Sequence, residues 1–330
     1  MSETKDMKQR TIGFLGMGAI GFPICHGLVR SGCHVILPTW RRESAEKHGF
    51  SPVAENEAEK RAQFDWMLEN GASPAGSQRE LLEKSEIVIT CLPKSAQVEA
   101  VVLGKDGILE VCRPGTIVID TTSADYASTK KLAAALKEKG IGMLDAPVSG
   151  GVGGAAKQKL AVMVGGDEAL FEACRPILDI IGDPEKVMYM GESGAGDLTK
   201  SANNFLGSSA VAAASEAMLV CVKAGIDPHR ALEAFAAGTG SSKAITEKYR
   251  NVFLPGKLWN FSIGLMSKDI GLFRSAAAGL EVPSPVANLT GELLRMPLTE
   301  KGPDADCTEF PKMYERWSGI KLMGIDKKDE

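Results

Sequence analysis

The first residues of this chain with recognisable chemistry lie in a short turn, Gly16-Met17-Gly18-Ala19-Ile20-Gly21. The turn fits G-x-G-x-x-G. It follows an apolar run at 11–16 and precedes a helical pattern at 20–31. Each glycine meets a separate demand. Gly16 makes the tight turn, Gly18 lets phosphates approach backbone, and Gly21 lets a helix pack on a strand. The helix start offers free N–H groups and the positive end of its dipole to a pyrophosphate. The chemistry expected is the binding of a dinucleotide, with Met17, Ala19 and Ile20 completing the cradle. The bland alternative is a glycine-rich turn in an unrelated sheet; the strand before and the helix after weigh against it.

A second group follows the next strand, Leu37-Pro38-Thr39-Trp40-Arg41-Arg42. An NAD site usually places Asp or Glu here for the ribose 2′-hydroxyl. The first acid is Glu43. A hydroxyl at Thr39 and two guanidiniums at Arg41 and Arg42 suit a 2′-phosphate through bidentate, charge-assisted bonds. The expected cofactor is therefore NADP in preference to NAD. The alternative is that both arginines are solvated charges at a helix start.

The elements that would position these groups alternate in type. Strand-like runs stand at 11–16, 35–37, 86–91, 116–120 and 143–148, and helical patterns at 20–31, 94–103 and 125–138. Such alternation implies a parallel sheet with right-handed crossovers, an α/β Rossmann-type N-terminal domain over residues 1–192. The polar stretch at 50–80 breaks the rhythm. It holds a helix at 54–70 bounded by Pro52 and Gly71, and reads as an insertion between the second and third strands. After Gly191 the composition changes. One long helical pattern at 194–226, rich in Ala, Ser and Leu, ends at Gly225; further helices are expected at 228–237, 242–252, 264–281 and 285–297. Residues 193–330 thus read as an all-α domain for substrate and dimerisation, joined by a long interdomain helix.

Composition narrows the classes. The 330 residues are 44% hydrophobic and 24% charged with a net charge of −4, so no nucleic-acid surface is expected. Seven scattered cysteines without CxxC spacing make neither a zinc site nor a disulfide framework, and no metal is expected. The polar start MSETKDMKQR is not a signal peptide, and Gly, Ser or charges interrupt the apolar segments before a bilayer could be crossed. The expectation is a cytoplasmic protein with no membrane partner.

Four separated segments, in order, resemble the β-hydroxyacid dehydrogenases, the family of 3-hydroxyisobutyrate dehydrogenase and tartronate semialdehyde reductase. They are GFLGMGAIGFPICHGLVRSG around the glycine turn, DAPVSGGVGGA at 145–155, GESGAGDLTKSANN at 191–204 and KDIGL at 268–272. The resemblance implies an NAD(P)-dependent oxidoreductase interconverting a short β-hydroxy acid and its semialdehyde or keto form. Lys200 takes the role of general acid/base, since an ammonium can donate to a developing alkoxide. Asn204, one helical turn on, would hold a substrate hydroxyl or carboxylate, or orient the lysine. Ser149, Gly150 and Gly151 would present N–H groups to the substrate carboxylate. Asp120-Thr121-Thr122-Ser123 matches the family's D-x-S-T, with Thr122 on the carboxylate and Ser123 on the cofactor; the alternative for both is helix N-capping. Leu92 and Pro93 match a turn beside the cofactor, Gln97 stands at a cofactor-contacting position, and Lys268 falls near the nicotinamide. Asp269 is expected to pair or cap locally. A homodimer or homotetramer is implied.

The chain departs from the pattern at Pro38–Arg42, at Ile20 and over 50–80, and its Asp306-Cys307-Thr308 replaces the family's D-x-S. Imine reductases share the architecture but usually lack the lysine, so Lys200 argues against that chemistry. Together with Asn204 it also argues against a silent dinucleotide-binding scaffold.

Overall fold

The computed structural model describes residues 7–38 and 57–326. These residues fall into two compact units, one up to Lys200 and one from Ser201. Composition places the change at 192–193; the division into units falls inside a helix.

The first unit is built on β1 (Ile12–Leu15), α1 (Gly21–Arg30), β2 (Val35–Pro38), α2 (Glu57–Glu69), β3 (Ser73–Ala75), α3 (Gln78–Lys84), β4 (Ile87–Thr90), α4 (Ser95–Leu103), α5 (Ile108–Val111), β5 (Ile117–Asp120) and α6 (Tyr126–Glu138). It continues with β6 (Gly142–Asp145), β7 (Val148–Ser149), α7 (Gly151–Ala156), β8 (Ala161–Gly166), α8 (Glu168–Ile181), β9 (Val187–Gly191) and the start of α9 (Ala195–Lys223). The strands form one sheet in the order β3-β2-β1-β4-β5-β6-β8-β7, with β9 beside β8. Strands β1 to β6 run parallel to one another, and β8 runs antiparallel to β6 and β7. Period-two alternation explains why the central strands read as continuous apolar runs. Ile12, Phe14, Ile87, Ile89, Ile117 and Ile119 enter the core on one face. Leu15, Val88 and Val118 enter the core on the other.

The stretch at 50–80 is not simply an insertion. Its described part supplies α2, the edge strand β3 and the start of α3, and β3 pairs with β2 in parallel register through Ile36–Ser73 and Leu37–Pro74. A three-residue strand containing Pro74 carries almost no periodic signal, and Pro is tolerated where a sheet ends. The elements β8, α8 and β9 also go beyond the sequence expectation; β8 packs Val162 and Val164 into the core, and Asp167 caps α8 by accepting from the N–H of Leu170.

The second unit continues α9 and adds α10 (Pro228–Ala237), a π-helical segment (Ala244–Phe253), α11 (Ile263–Gly279), α12 (Pro285–Lys301) and α13 (Glu309–Ser318). Val211, Met218, Leu232, Tyr249, Phe253, Ile270, Leu294 and Phe310 form its core. The expectation that every apolar stretch is interrupted too soon to cross a bilayer fails for α9 by length and composition alone. A core helix passes the same measure, and α9 buries Val211, Met218 and Leu219 within its own unit.

Candidate active site

The sheet order reverses between β1 and β4, and the crevice beyond the carboxyl ends of two such strands is where open α/β sheets take ligands. Gly16 leaves β1 at φ +107, and a Cβ there would collide with the carbonyl oxygen of Cys91, just past β4. A Cβ on Gly21 would collide with the carbonyl oxygen of Gly16. The turn is thus closed to side chains at the positions the sequence assigns to glycine. Residues 16–20 stay partly open, and Ile20, at the entry to α1, provides no side-chain cap. Gln97, in the first turn of α4, holds a buried Oε1 with no hydrogen-bond donor facing it. A backbone-lined turn, an uncapped helix start and an unmatched amide oxygen fit a dinucleotide. Thr39, Arg41 and Arg42 lie outside the described residues.

The loops after β4 and β5 are laced together. The hydroxyl of Thr122 accepts from the N–H of Leu92 at 2.9 Å, which leaves its own hydrogen to donate. Ser95 Oγ accepts from the N–H of Asp125 at 2.7 Å, and Thr121 Oγ1 donates to the Thr90 carbonyl at 2.8 Å. The structure therefore brings Thr122 to the Leu92-Pro93 turn, with Ser123 next in the chain. Neither hydroxyl caps α6; Asp125 does, by accepting from the N–H of Ser128.

Ser149 ends β7 opposite Ala161. Gly150 and Gly151 follow with φ of +142 and +64, conformations that open the way into α7. The DAPVSGG segment is thus an ordered strand and helix start, and not a slack connection.

Lys200 is buried, with 8% of its surface exposed, one turn into α9. Two buried carboxylates hold that turn. Asp145, at the end of β6, accepts from the N–H of Gly194 at 2.8 Å and of Asp197 at 3.1 Å. Asp197 accepts from the N–H of Ala124 at 2.9 Å and from Thr129 Oγ1 at 2.7 Å. Burial raises the Asp145 carboxyl to about 6, against the pull of its backbone donors. Burial, with Asp145 and Asp120 nearby, raises Asp197 well above the ordinary carboxylate range.

In the second unit Asn204 Nδ2 donates to Asp269 Oδ2 at 2.6 Å, and Lys268 Nζ lies 3.1 Å from Asp269 Oδ1. Asp269, 5% exposed, bridges two residues that the sequence singles out. Its pairing is more than local, because Asn204 stands 65 positions away. The available signal was the acid itself, placed on a helix beside a lysine. Among the described residues no cluster of His, Cys, Asp and Glu could hold a metal ion.

Residues 11–191 match the family described as the NAD binding domain of 6-phosphogluconate dehydrogenase, and residues 194–314 match the NAD-binding domain of NADP-dependent 3-hydroxyisobutyrate dehydrogenase. The chain is 32% identical to 2-(hydroxymethyl)glutarate dehydrogenase of Eubacterium barkeri, over 96% of this chain and 99% of that protein. It is 31% identical to 2-hydroxy-3-oxopropionate reductase of Escherichia coli (strain K12), over 94% and 99% respectively. The structure of Mycobacterium tuberculosis 3-hydroxyisobutyrate dehydrogenase with L-serine superposes with a TM-score of 0.76 at 27% identity, covering 94% of this chain and 99% of that one.

Proposed function

The chain belongs to the β-hydroxyacid dehydrogenase family and is an NAD(P)-dependent oxidoreductase; on that premise we propose that its substrate pair is a short 3-hydroxy acid and the matching semialdehyde or keto acid, with Lys200 as general acid/base. The names of its relatives support the substrate class. 2-(Hydroxymethyl)glutarate, 2-hydroxy-3-oxopropionate and L-serine each set a primary alcohol or aldehyde one carbon away from the carbon bearing a carboxylate.

NAD(P), when bound, exchanges the hydride. Lys200 gives a proton to the carbonyl oxygen during reduction and takes it back from the hydroxyl during oxidation. The Thr122 hydroxyl and the backbone N–H groups at Ser149, Gly150 and Gly151 hold the substrate carboxylate. Asn204 steadies the reacting oxygen or the lysine, with its own amide fixed by Asp269. Gly16 to Gly21, Leu92, Pro93, Gln97, Ser123 and Lys268 serve the cofactor, and Thr39, Arg41 and Arg42 favour NADP through its 2′-phosphate. The first unit is the dinucleotide domain and the helical unit serves substrate and assembly, as a homodimer or homotetramer.

The observation that carries this reading is a buried Lys200 at the head of α9, inside the motif at 191–204. The test is oxidation of NADPH and NADH against short semialdehydes and 3-keto acids, with Lys200→Ala alongside. Turnover of a semialdehyde that Lys200→Ala abolishes is the expected result. Tight cofactor binding with no turnover across the panel would overturn the substrate class, and full activity in Lys200→Ala would overturn the lysine's role. Arg41→Ala is expected to weaken NADPH binding and leave NADH binding unchanged; an unaltered preference would remove the phosphate role.

A further inference from the structure

Three segments of the first unit converge on two buried acids that none of the roles above uses. Asp145 heads the 145–155 segment, Ala124 closes the loop that carries Thr122 and Ser123, and Asp197 lies three residues before Lys200. The backbone between them is closely packed. A Cβ on Gly165 would stand 2.7 Å from both Asp145 carboxylate oxygens and 2.9 Å from the Ala195 nitrogen. A Cβ on Gly196 would collide with the Met163 carbonyl oxygen and come within 2.9 Å of Asp145 Oδ2. The first turn of α9 therefore sits close against β6 and β8, with the Asp145 carboxylate packed between them.

We propose that Asp145 and Asp197 are a positioning pair for Lys200, Asp145 fixing the first turn of α9 to the end of β6 and Asp197 fixing that same turn to the loop bearing Thr122. The proposal rests on the reading of Lys200 as the acid/base. Each carboxylate uses both oxygens, and their four donors come from separate places: Gly194 and Asp197 in the turn, Ala124 in the loop, Thr129 in α6. Removing one acid breaks two bonds at once and lets the lysine's turn move against the loop that would hold the substrate. A misplacement of about 1 Å at a reacting group lowers rate by roughly 100-fold. Asp120, in register with Asp145 on the neighbouring strand, is the third buried acid of the group; its Oδ1 accepts from Thr90 Oγ1 and the Thr122 N–H. Burial, with the neighbouring carboxylates, raises both Asp145 and Asp197 above the ordinary carboxylate range.

The test compares Asp197→Ala, Asp197→Asn and Thr129→Val with wild type and Lys200→Ala, in the full-length enzyme with a substrate from the panel. Asp197→Ala is expected to lose about 10- to 100-fold in kcat, with the dissociation constant for NADPH, read by fluorescence, within about twofold. Asp197→Asn keeps an acceptor for Ala124 and a polar partner for Thr129, and is expected to restore kcat to within about threefold. Thr129→Val removes one bond and is expected to lose about 3- to 10-fold. The proposal is overturned if Thr129→Val, or a folded Asp197→Ala, keeps kcat within twofold, or if Asn restores nothing. If Asp197→Ala does not fold, Thr129→Val and Asp197→Asn decide alone. An inactive Lys200→Ala beside a fully active Asp197→Ala removes the pair and keeps the lysine; a fully active Lys200→Ala removes the lysine first.

Discussion

At the scale of single residues, the glycine turn and the buried acids make separate, checkable demands. Gly21→Ala puts a methyl group into the Gly16 carbonyl, and neither backbone can yield without moving α1 from β1. With the pyrophosphate over this turn, as proposed, the expected outcome is a loss of NADPH affinity of about tenfold or more, measured by fluorescence titration, because the close helix–strand approach would serve that site. The acids act on stability with a definite sign. Burial holds Asp145 at about 6 in the folded chain, above the ordinary 3.8, and raises Asp197 as well. A folded carboxyl that binds its proton more tightly than the unfolded one stabilises fully at low pH and loses that contribution as pH rises through the folded value. Thermal unfolding is expected to show this part of the stability falling between about pH 4 and pH 6 for Asp145, and in Asp197→Asn the total fall should be smaller. An unchanged pH slope in that variant would count against the shift. The glycines were legible because a turn's demands are local. The acids and Asp269 were not, because their partners lie 52, 73 and 65 positions away and no periodicity links them.

At the scale of elements, legibility followed length and environment. Runs such as Ile87–Thr90 and Ile117–Asp120 are apolar because both faces of the sheet are covered, and they were plain in the sequence. Ser73–Ala75 and Val148–Ser149 were not, because strands of three and two residues are defined by the neighbour they pair with. The helical unit was legible as helices, yet what fixes the entry to α11 was not. Asp306 accepts from the N–H groups of Trp259 at 3.0 Å, Asn260 at 2.7 Å, Phe261 at 3.3 Å and Thr308 at 2.9 Å. Ser262, paired with Asp306 across an isolated bridge, then caps α11. One carboxylate thus holds the segment before α11 to the segment before α13. Asp306→Ala leaves several N–H groups without their acceptor, and is expected to cost about 2–4 kcal/mol of stability by denaturant titration. Asp306→Asn should recover part of that, since its amide oxygen still accepts. A loss under about 0.5 kcal/mol in the alanine variant would show that water replaces the carboxylate without penalty.

At the scale of the whole molecule, the surface of the helical unit bears on assembly. Along α12, Val286, Leu289 and Met296 are each more than half exposed, and their spacing places them in one stripe with the partly buried Leu293. Along α9, Leu206 and Val220 are 65% and 70% exposed, with the exposed Ala213 midway between them at heptad spacing. The two helices are joined where the hydroxyls of Ser209 and Thr290 meet at 2.9 Å, and Leu280 and Val282 add apolar surface just before α12. Isolated exposed apolar residues are ordinary, but repeated helical stripes on adjoining helices mark a surface that another surface covers. A second copy of the chain is the occupant that the homo-oligomer reading requires, and a two-fold interface would set each stripe against the same patch of its partner. Light scattering behind size exclusion is then expected to give a mass at least double the 35.0 kDa of one chain. Val286→Glu combined with Leu289→Glu should bring it down to a single chain at micromolar concentration, because each buried glutamate would meet apolar surface without a partner. Wild type that runs as a monomer across that range would refute self-association. A double variant that keeps the wild-type mass would place the interface away from α12.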